Sequence, residues 1–129
     1  MTASAVRAMF RSHPAQPAHG DMISRCVDAC FNCVETCTAC ADACLSEDKI
    51  DRLVGCIRLN LDCAAVCGAT GSILGRANKA GTRQLLEAQL TTCIAFCRSW
   101  RQRVQPSRRG AQTLPRGGRG LPRLRASLR

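Results

Sequence analysis

The apolar positions of this chain fall into three runs with heptad spacing, separated by short polar breaks. The first run, CVDACFNCVETCTACADAC, places cysteine at 26, 30, 33, 37, 40 and 44. Alternating gaps of four and three residues keep two positions in seven on one side of a helix. Asp28, Asn32, Glu35, Thr36, Thr38 and Asp42 lie between them and suit a watered face. The stretch is Ala-rich and holds no Gly or Pro, so the pattern predicts one helix over about 21–46 with a continuous sulfur stripe. Asp21 or Ser24 is its expected cap.

Ser46-Glu47-Asp48 interrupts the pattern, and a second helix is expected over about 49–76 with Asp48 as its cap. Its buried face is read as Leu53, Cys56, Ile57, Asn60, Cys63, Cys67 and Leu74. Asn60 fills a seam position between cysteines, as a buried amide that fixes helix register or as an oxygen near a metal; the first reading is preferred. Leu59, Leu61, Val66 and Ile73 widen the apolar arc, so this helix is expected to pack against another chain as well. A turn at 78–81 then leads into a third helix, over about 82–100, with Thr82 as cap and Cys93 and Cys97 as a further C-x-x-x-C pair. The fold class expected is all-α: an antiparallel, Cys-lined bundle supplying three helices of a four-helix bundle, followed by an irregular Arg-rich tail. The domain reading is a flexible leader over 1–20, the bundle over 21–98 and a basic, disordered tail over 99–129.

Composition sharpens this picture. Hydrophobic residues make up 46% of the 129, but aromatics are only 3% and eleven residues are Cys, so the interior is poor in bulky carbon. A secreted disulfide framework would explain many cysteines. The count is odd, however, and six of them share one helix face, where neighbours cannot all pair without distortion. The opening 20 residues lack an apolar h-region and are broken by Pro14 and Pro17, and no run approaches a membrane span. A reduced, cytoplasmic protein without a membrane partner is therefore expected. The net charge of +10 is concentrated: residues 98–129 hold ten of the 19 Lys/Arg and none of the nine acids, leaving nine of each sign in 1–97. That is a neutral domain with a basic appendix. Ten Arg without aromatic interleaving or a fold are a poor nucleic-acid footprint, so no nucleic-acid partner is expected.

Thiolates are soft donors that suit Cu(I), Zn(II) and iron–sulfur clusters. Zinc sites usually gather C-x-x-C knuckles joined by loops, and ferredoxins wrap their cluster in a Pro-terminated loop. A straight helix instead offers pairs at i and i+4, which matches Cu(I), an ion content with two or three soft ligands. The candidate metal ligands are Cys26, Cys30, Cys33, Cys37, Cys40, Cys44, Cys56, Cys63, Cys67, Cys93 and Cys97. Met22, four residues before Cys26, is either an outlying soft ligand or core filling. His13 and His19 are read as solvated, as are Asp28, Glu35 and Asp42. No Ser/His/Asp set, paired carboxylates or phosphate loop is present, so no enzymatic activity is expected. General zinc or cadmium binding, thiol redox buffering and iron–sulfur electron transfer are the alternatives.

With CVDACFNCVETCTACADAC, LVGCIRLNLDCAAVC at 53–67 and TTCIAFC at 91–97, residues 22–97 resemble the four-helix bundle copper-binding proteins, the bacterial cytosolic copper storage family. The resemblance implies an antiparallel bundle filled with multiple Cu(I) ions, assembled as a homotetramer, that stores or buffers copper without catalysing a reaction. It would make the matching cysteines Cu(I) ligands. Family members usually carry Asp where this chain has Asn60.

The resemblance ends after Cys97, where a fourth Cys-bearing helix should follow. Leu114, Leu121, Leu124 and Leu128 are each followed by Pro or Arg, and Val104 by Gln105. A one-base shift of reading frame therefore permits Cys codons at all five, at steps of seven, ten, seven, three and four from Cys97. It also permits His at the Ala111 and Thr113 positions. The tail is read as an out-of-frame version of the missing helix, with the indel near codons 98–100.

Overall fold

A computed structural model of the chain describes residues 4–76 and 82–104. Among the described residues are four helices, α1 (Ala5–Ser12), α2 (Gly20–Leu45), α3 (Val54–Leu74) and α4 (Arg83–Arg103), with a 3-10 turn at Ile50–Arg52 and no strand. Helix α3 packs along both α2 and α4, and α1 lies on α2. The direction of packing is antiparallel at each α3 contact. Gly71 sits against Cys30 and Phe31 while Cys63 meets Cys33; on the other side Asn60 meets Trp100 while Cys67 meets Cys97.

The core divides along its length. Ile23, Leu74, Leu86 and Leu90 fill one end with hydrocarbon, and Trp100 and Val104 fill the other. Thiols occupy the interval between them and part of the second end. The seams of α3 and α4 keep the same alternating four and three spacing as the cysteines of α2. In α3 it runs through positions 56, 60, 63, 67, 70 and 74, and in α4 through 86, 90, 93, 97, 100 and 104.

Several boundaries differ from the sequence reading. The leader carries α1, capped by Ser4, whose Oγ accepts from the Arg7 N–H at 3.2 Å. Pro14 and Pro17 follow this helix rather than forbid it, and its Val6 and Phe10 pack against the core. The Arg7 Nε donates to Asp21 Oδ1 at 2.9 Å, and this partner holds the Asp21 carboxyl below the usual carboxylate range. Asp21 is therefore engaged with α1 instead of capping α2. The residue at the α2 N-cap is His19, in the left-handed region at φ 60°, and the Ser24 hydroxyl donates to the Asp21 carbonyl at 3.0 Å. The second helix begins at Val54, because 50–52 tighten into a 3-10 turn, and its N-cap is Leu53 rather than Asp48.

The third predicted helix runs past its expected end at 100 to Arg103, and the structure does not break at 98–100. Trp100 and Val104 are buried on the seam, 7% and 1% exposed. Val104, one of the five shifted-frame positions, is thus a seam position, and the other four, Leu114, Leu121, Leu124 and Leu128, lie outside the described residues. The rest of the expected tail, 105–129, lies outside the described residues.

The packing of α2 on α3 leaves no room for a side chain at Gly71. A Cβ there would meet Phe31 Cε2 at 2.9 Å and Cys30 Cβ at 3.2 Å, whereas one on Gly55 would meet nothing within 4 Å. Replacing Gly71 by Val should therefore lower stability by about 1–3 kcal/mol through overpacking. Gly55→Ala should leave stability unchanged or raise it by up to about 1 kcal/mol through helix propensity. Denaturant unfolding of the two variants checks this, and equal effects would contradict the assigned contact.

Candidate metal centre

The seams of three helices bring sulfur together in the middle of the bundle. The Sγ atoms of Cys33, Cys63, Cys67 and Cys97 all lie within 4.8 Å of one another. Helix α2 supplies one of the four, α3 supplies two separated by one turn, and α4 supplies the last. Nearest neighbours are closer: Cys33 to Cys63 is 3.7 Å and Cys67 to Cys97 is 3.6 Å. With metal–sulfur bonds of about 2.3 Å, two sulfurs on opposite sides of an ion stand roughly 4.6 Å apart, and three around it roughly 4 Å. The group is thus spaced for a soft ion without moving a helix.

The four sulfurs do not stand alone. Cys33 also reaches Cys37 at 3.7 Å, and Cys67 also reaches Cys93 at 3.8 Å. Cys93 in turn lies beside Cys30, and more distantly Cys26. Eight of the predicted ligands therefore form one contiguous row: 26, 30, 33, 37, 63, 67, 93 and 97. Sulfurs such as Cys33 and Cys67, in contact on two sides, are placed to bridge adjacent ions. Cys40, Cys44 and Cys56 stand apart from the four-sulfur group, towards the other end of the bundle. Cys40 and Cys44 are buried, while half-buried Cys56 has its Sγ 4.0 Å from the Arg103 carbonyl oxygen. Met22 is partly buried at the edge of the core. None of the eleven cysteines is in a disulfide.

Crowding divides the thiols into two sets. Cys33 is drawn well below the ordinary thiol range by hydrogen bonds from Cys37, then Cys63, Cys67 and Cys97. Cys93 is lowered in the same way by Cys30 and Cys67. Cys97 is pushed up by Cys33 but pulled down further by Cys63, Cys67 and Cys93, and settles at about 4. The donors move the other way. Cys63 and Cys67 are raised, each first by its bond to Cys33; Cys37 is raised by Cys33 and Cys30 by Cys93. Burial, opposed by Arg25 and helped by Cys93, lifts Cys26 to about 11. A few thiolates are thus stabilised by neighbouring S–H groups, and ionising the rest requires a cation in their midst.

Two side chains at the row were not singled out by the sequence reading. Thr70 is fully buried; its hydroxyl donates to the Val66 carbonyl at 2.7 Å and accepts from Gln89 Nε2 at 2.9 Å. Trp100 donates its indole N–H to Asn60 Oδ1. The signal for both was present, since each lies three residues beyond a seam cysteine. Asn60 itself is fully buried, as expected, and its Oδ1 faces Trp100.

No helix among the described residues is long and apolar enough to cross a membrane. The model of the copper storage protein family matches residues 19–112. No curated protein matches the chain. Among solved structures it is similar to the Streptomyces lividans copper storage protein Ccsp loaded with 10 copper equivalents, at 30% identity and a TM-score of 0.78, over 96% of this chain and 97% of that one. A five-copper structure of a cytosolic copper storage protein from the same organism matches at 32% identity and a TM-score of 0.63, over 84% and 86% of the two chains. A histidine-to-alanine variant of Ccsp matches at 31% identity and 0.67, over 84% and 92%. A sulfur-filled helical bundle, a family match spanning most of the sequence and relatives of the same fold converge: this chain belongs to the copper storage protein family.

Proposed function

We propose that the chain stores copper as several Cu(I) ions, bound by cysteine thiolates inside the bundle, without catalysing a reaction. The observation that carries this reading is the row of eight sulfurs that continues on both sides of the Cys33, Cys63, Cys67 and Cys97 group. An isolated four-sulfur site would suit one tetrahedral zinc ion as well. A row of sulfurs in contact on two sides suits many monovalent ions that share ligands, because each added Cu(I) offsets one thiolate charge. Cys40, Cys44 and Cys56 extend the ligand set at the other end, and Met22 is the outlying soft donor. The Ccsp structures with five and ten coppers support multiple occupancy. The cytosolic description of one of those relatives supports a cytoplasmic location.

Assembly as a homotetramer belongs to the same reading. Helix α3 is apolar on faces that do not meet α2 or α4, and Val54, Leu61 and Ile73 are exposed at 41%, 52% and 37%. Analytical ultracentrifugation should give four times the 13.9 kDa chain mass; a monomer at micromolar concentration would remove the tetramer but leave the copper site.

Anaerobic titration of the reduced protein should take up several Cu(I) equivalents that resist a competing Cu(I) chelator. Tight Zn(II) with weak copper binding would overturn the reading in favour of a general thiol protein, and a brown, iron-containing product would favour an iron–sulfur protein.

Copper loading should also release protons. Cys63 and Cys67 hold theirs at neutral pH and must lose them to bind, whereas Cys97 loses its proton above about 4. Affinity therefore falls as pH drops through the neutral range, and falls more steeply below about 4, where Cys97 is protonated too. Chelator competition at a series of pH values measures this, and a flat profile would contradict it.

A further inference from the structure

The layer next to the sulfur row contains one polar group that the packing leaves unfinished. Asn60 is 0% exposed, its Oδ1 accepts the Trp100 indole N–H, and its Nδ2 is buried without a hydrogen-bond partner. A buried amide N–H without an acceptor costs on the order of 1–3 kcal/mol. The bond to Trp100 fixes which way the amide faces: with the oxygen turned to α4, the NH2 group points away from it. Along that side the seam offers sulfur. Cys56 and Cys63 are one turn away on α3 itself. Across on α2, Cys37 lies against Cys63, and the antiparallel register brings Cys40 level with Asn60.

A neutral thiol is a weak acceptor, whereas a thiolate is a strong one. The unsatisfied donor therefore fits the metal-loaded state better than the metal-free state. We propose that Asn60, oriented by Trp100, is a positioning residue that donates Nδ2–H to metal-bound thiolates of the neighbouring layer, Cys37 and Cys40 foremost. This rests on the copper-storage reading and adds to it: the amide takes part through its nitrogen, while its oxygen is committed to the indole. Such outer-shell donors stabilise the charge that remains on sulfur and hold its lone pairs in place. The interaction ties the central sulfurs to the end where Cys44 and Cys56 lie, so copper entering this layer completes a hydrogen bond that the empty protein lacks.

The pair Asn60→Leu and Trp100→Phe, made together, tests this. The double variant removes donor and anchor at once and leaves no orphaned group, and the added Leu side chain offsets part of the lost indole volume, so it should stay folded. It keeps every sulfur, so the number of Cu(I) equivalents should stay the same. The equivalents in this layer should nonetheless yield to a chelator about 10–100-fold more readily, the usual cost of losing an outer-shell partner. Unchanged competition in a folded double variant would overturn the proposal. A second measurement uses the native protein alone: the side-chain 15N–1H resonances of Asn60 should move downfield on Cu(I) loading, and unmoved resonances in a fully loaded sample would also overturn it. Native protein that takes up no Cu(I) at all would instead bring down the storage reading, which separates the two failures.

Discussion

Hydrocarbon at the two ends of the bundle sets the distance at which its sulfurs stand. Thiol side chains are small, and a core made of them alone would let the helices sag together or drift. Here Leu74, Leu86 and Leu90 brace one end and Trp100 and Val104 the other. Between these braces the nearest sulfurs from different helices lie 3.6–3.8 Å apart, close enough to share a hydrogen and also close enough to share a metal. The same spacing thus serves the empty and the loaded protein. Gly71 makes a matching contribution on the α2 side, because its missing side chain lets Cys30 and Phe31 approach.

Spacing then governs charge. Eight buried and half-buried thiols in one row cannot all ionise, because each thiolate after the first is formed in a poorly solvated interior near another negative charge. The metal-free row resolves this by letting Cys33, Cys93 and Cys97 act as acceptors while Cys30, Cys37, Cys63 and Cys67 keep their protons. Each cation that enters offsets thiolate charge, so the thiols around it can lose protons without adding the full negative charge to the interior. The core is then restrained by bonds to metal in place of S–H contacts, with the helices already in position.

How much of this could be read from the chain follows from what fixes each feature. The heptad spacing is a property of consecutive residues, so the sulfur stripe, the three main helices and the all-α class were legible at once. So was the burial of Asn60, which occupies a seam position between Cys56 and Cys63. The helix ends were less legible, because they depend on partners distant in sequence. Asp21 looks like a cap until Arg7 is seen to take its carboxylate, and Asp48 looks like one until 50–52 close into a 3-10 turn. Likewise nothing in the composition of 1–20 says that Val6 and Phe10 will find an apolar surface. Which four sulfurs draw within 4.8 Å was not legible either, since that depends on how three seams are staggered against one another.

The residues beyond Cys97 show how composition can mislead where periodicity does not. Arg98, Arg101 and Arg103 give this stretch the look of a basic tail, yet Trp100 and Val104 continue the α4 seam by steps of three and four and are buried. Arginine on the outer face of a helix says nothing about its inner face. The family match extends to residue 112, so the relationship to copper storage proteins also outlasts the last cysteine. Within α4 the seam passes from sulfur to indole to isopropyl without changing register. The Trp100 indole is a large buried side chain on that seam, and its N–H donates to the amide oxygen of the buried Asn60 on α3. A side chain that reads as part of the tail is thus part of the core: it continues the seam beyond Cys97 and is bonded to the buried amide of the facing helix.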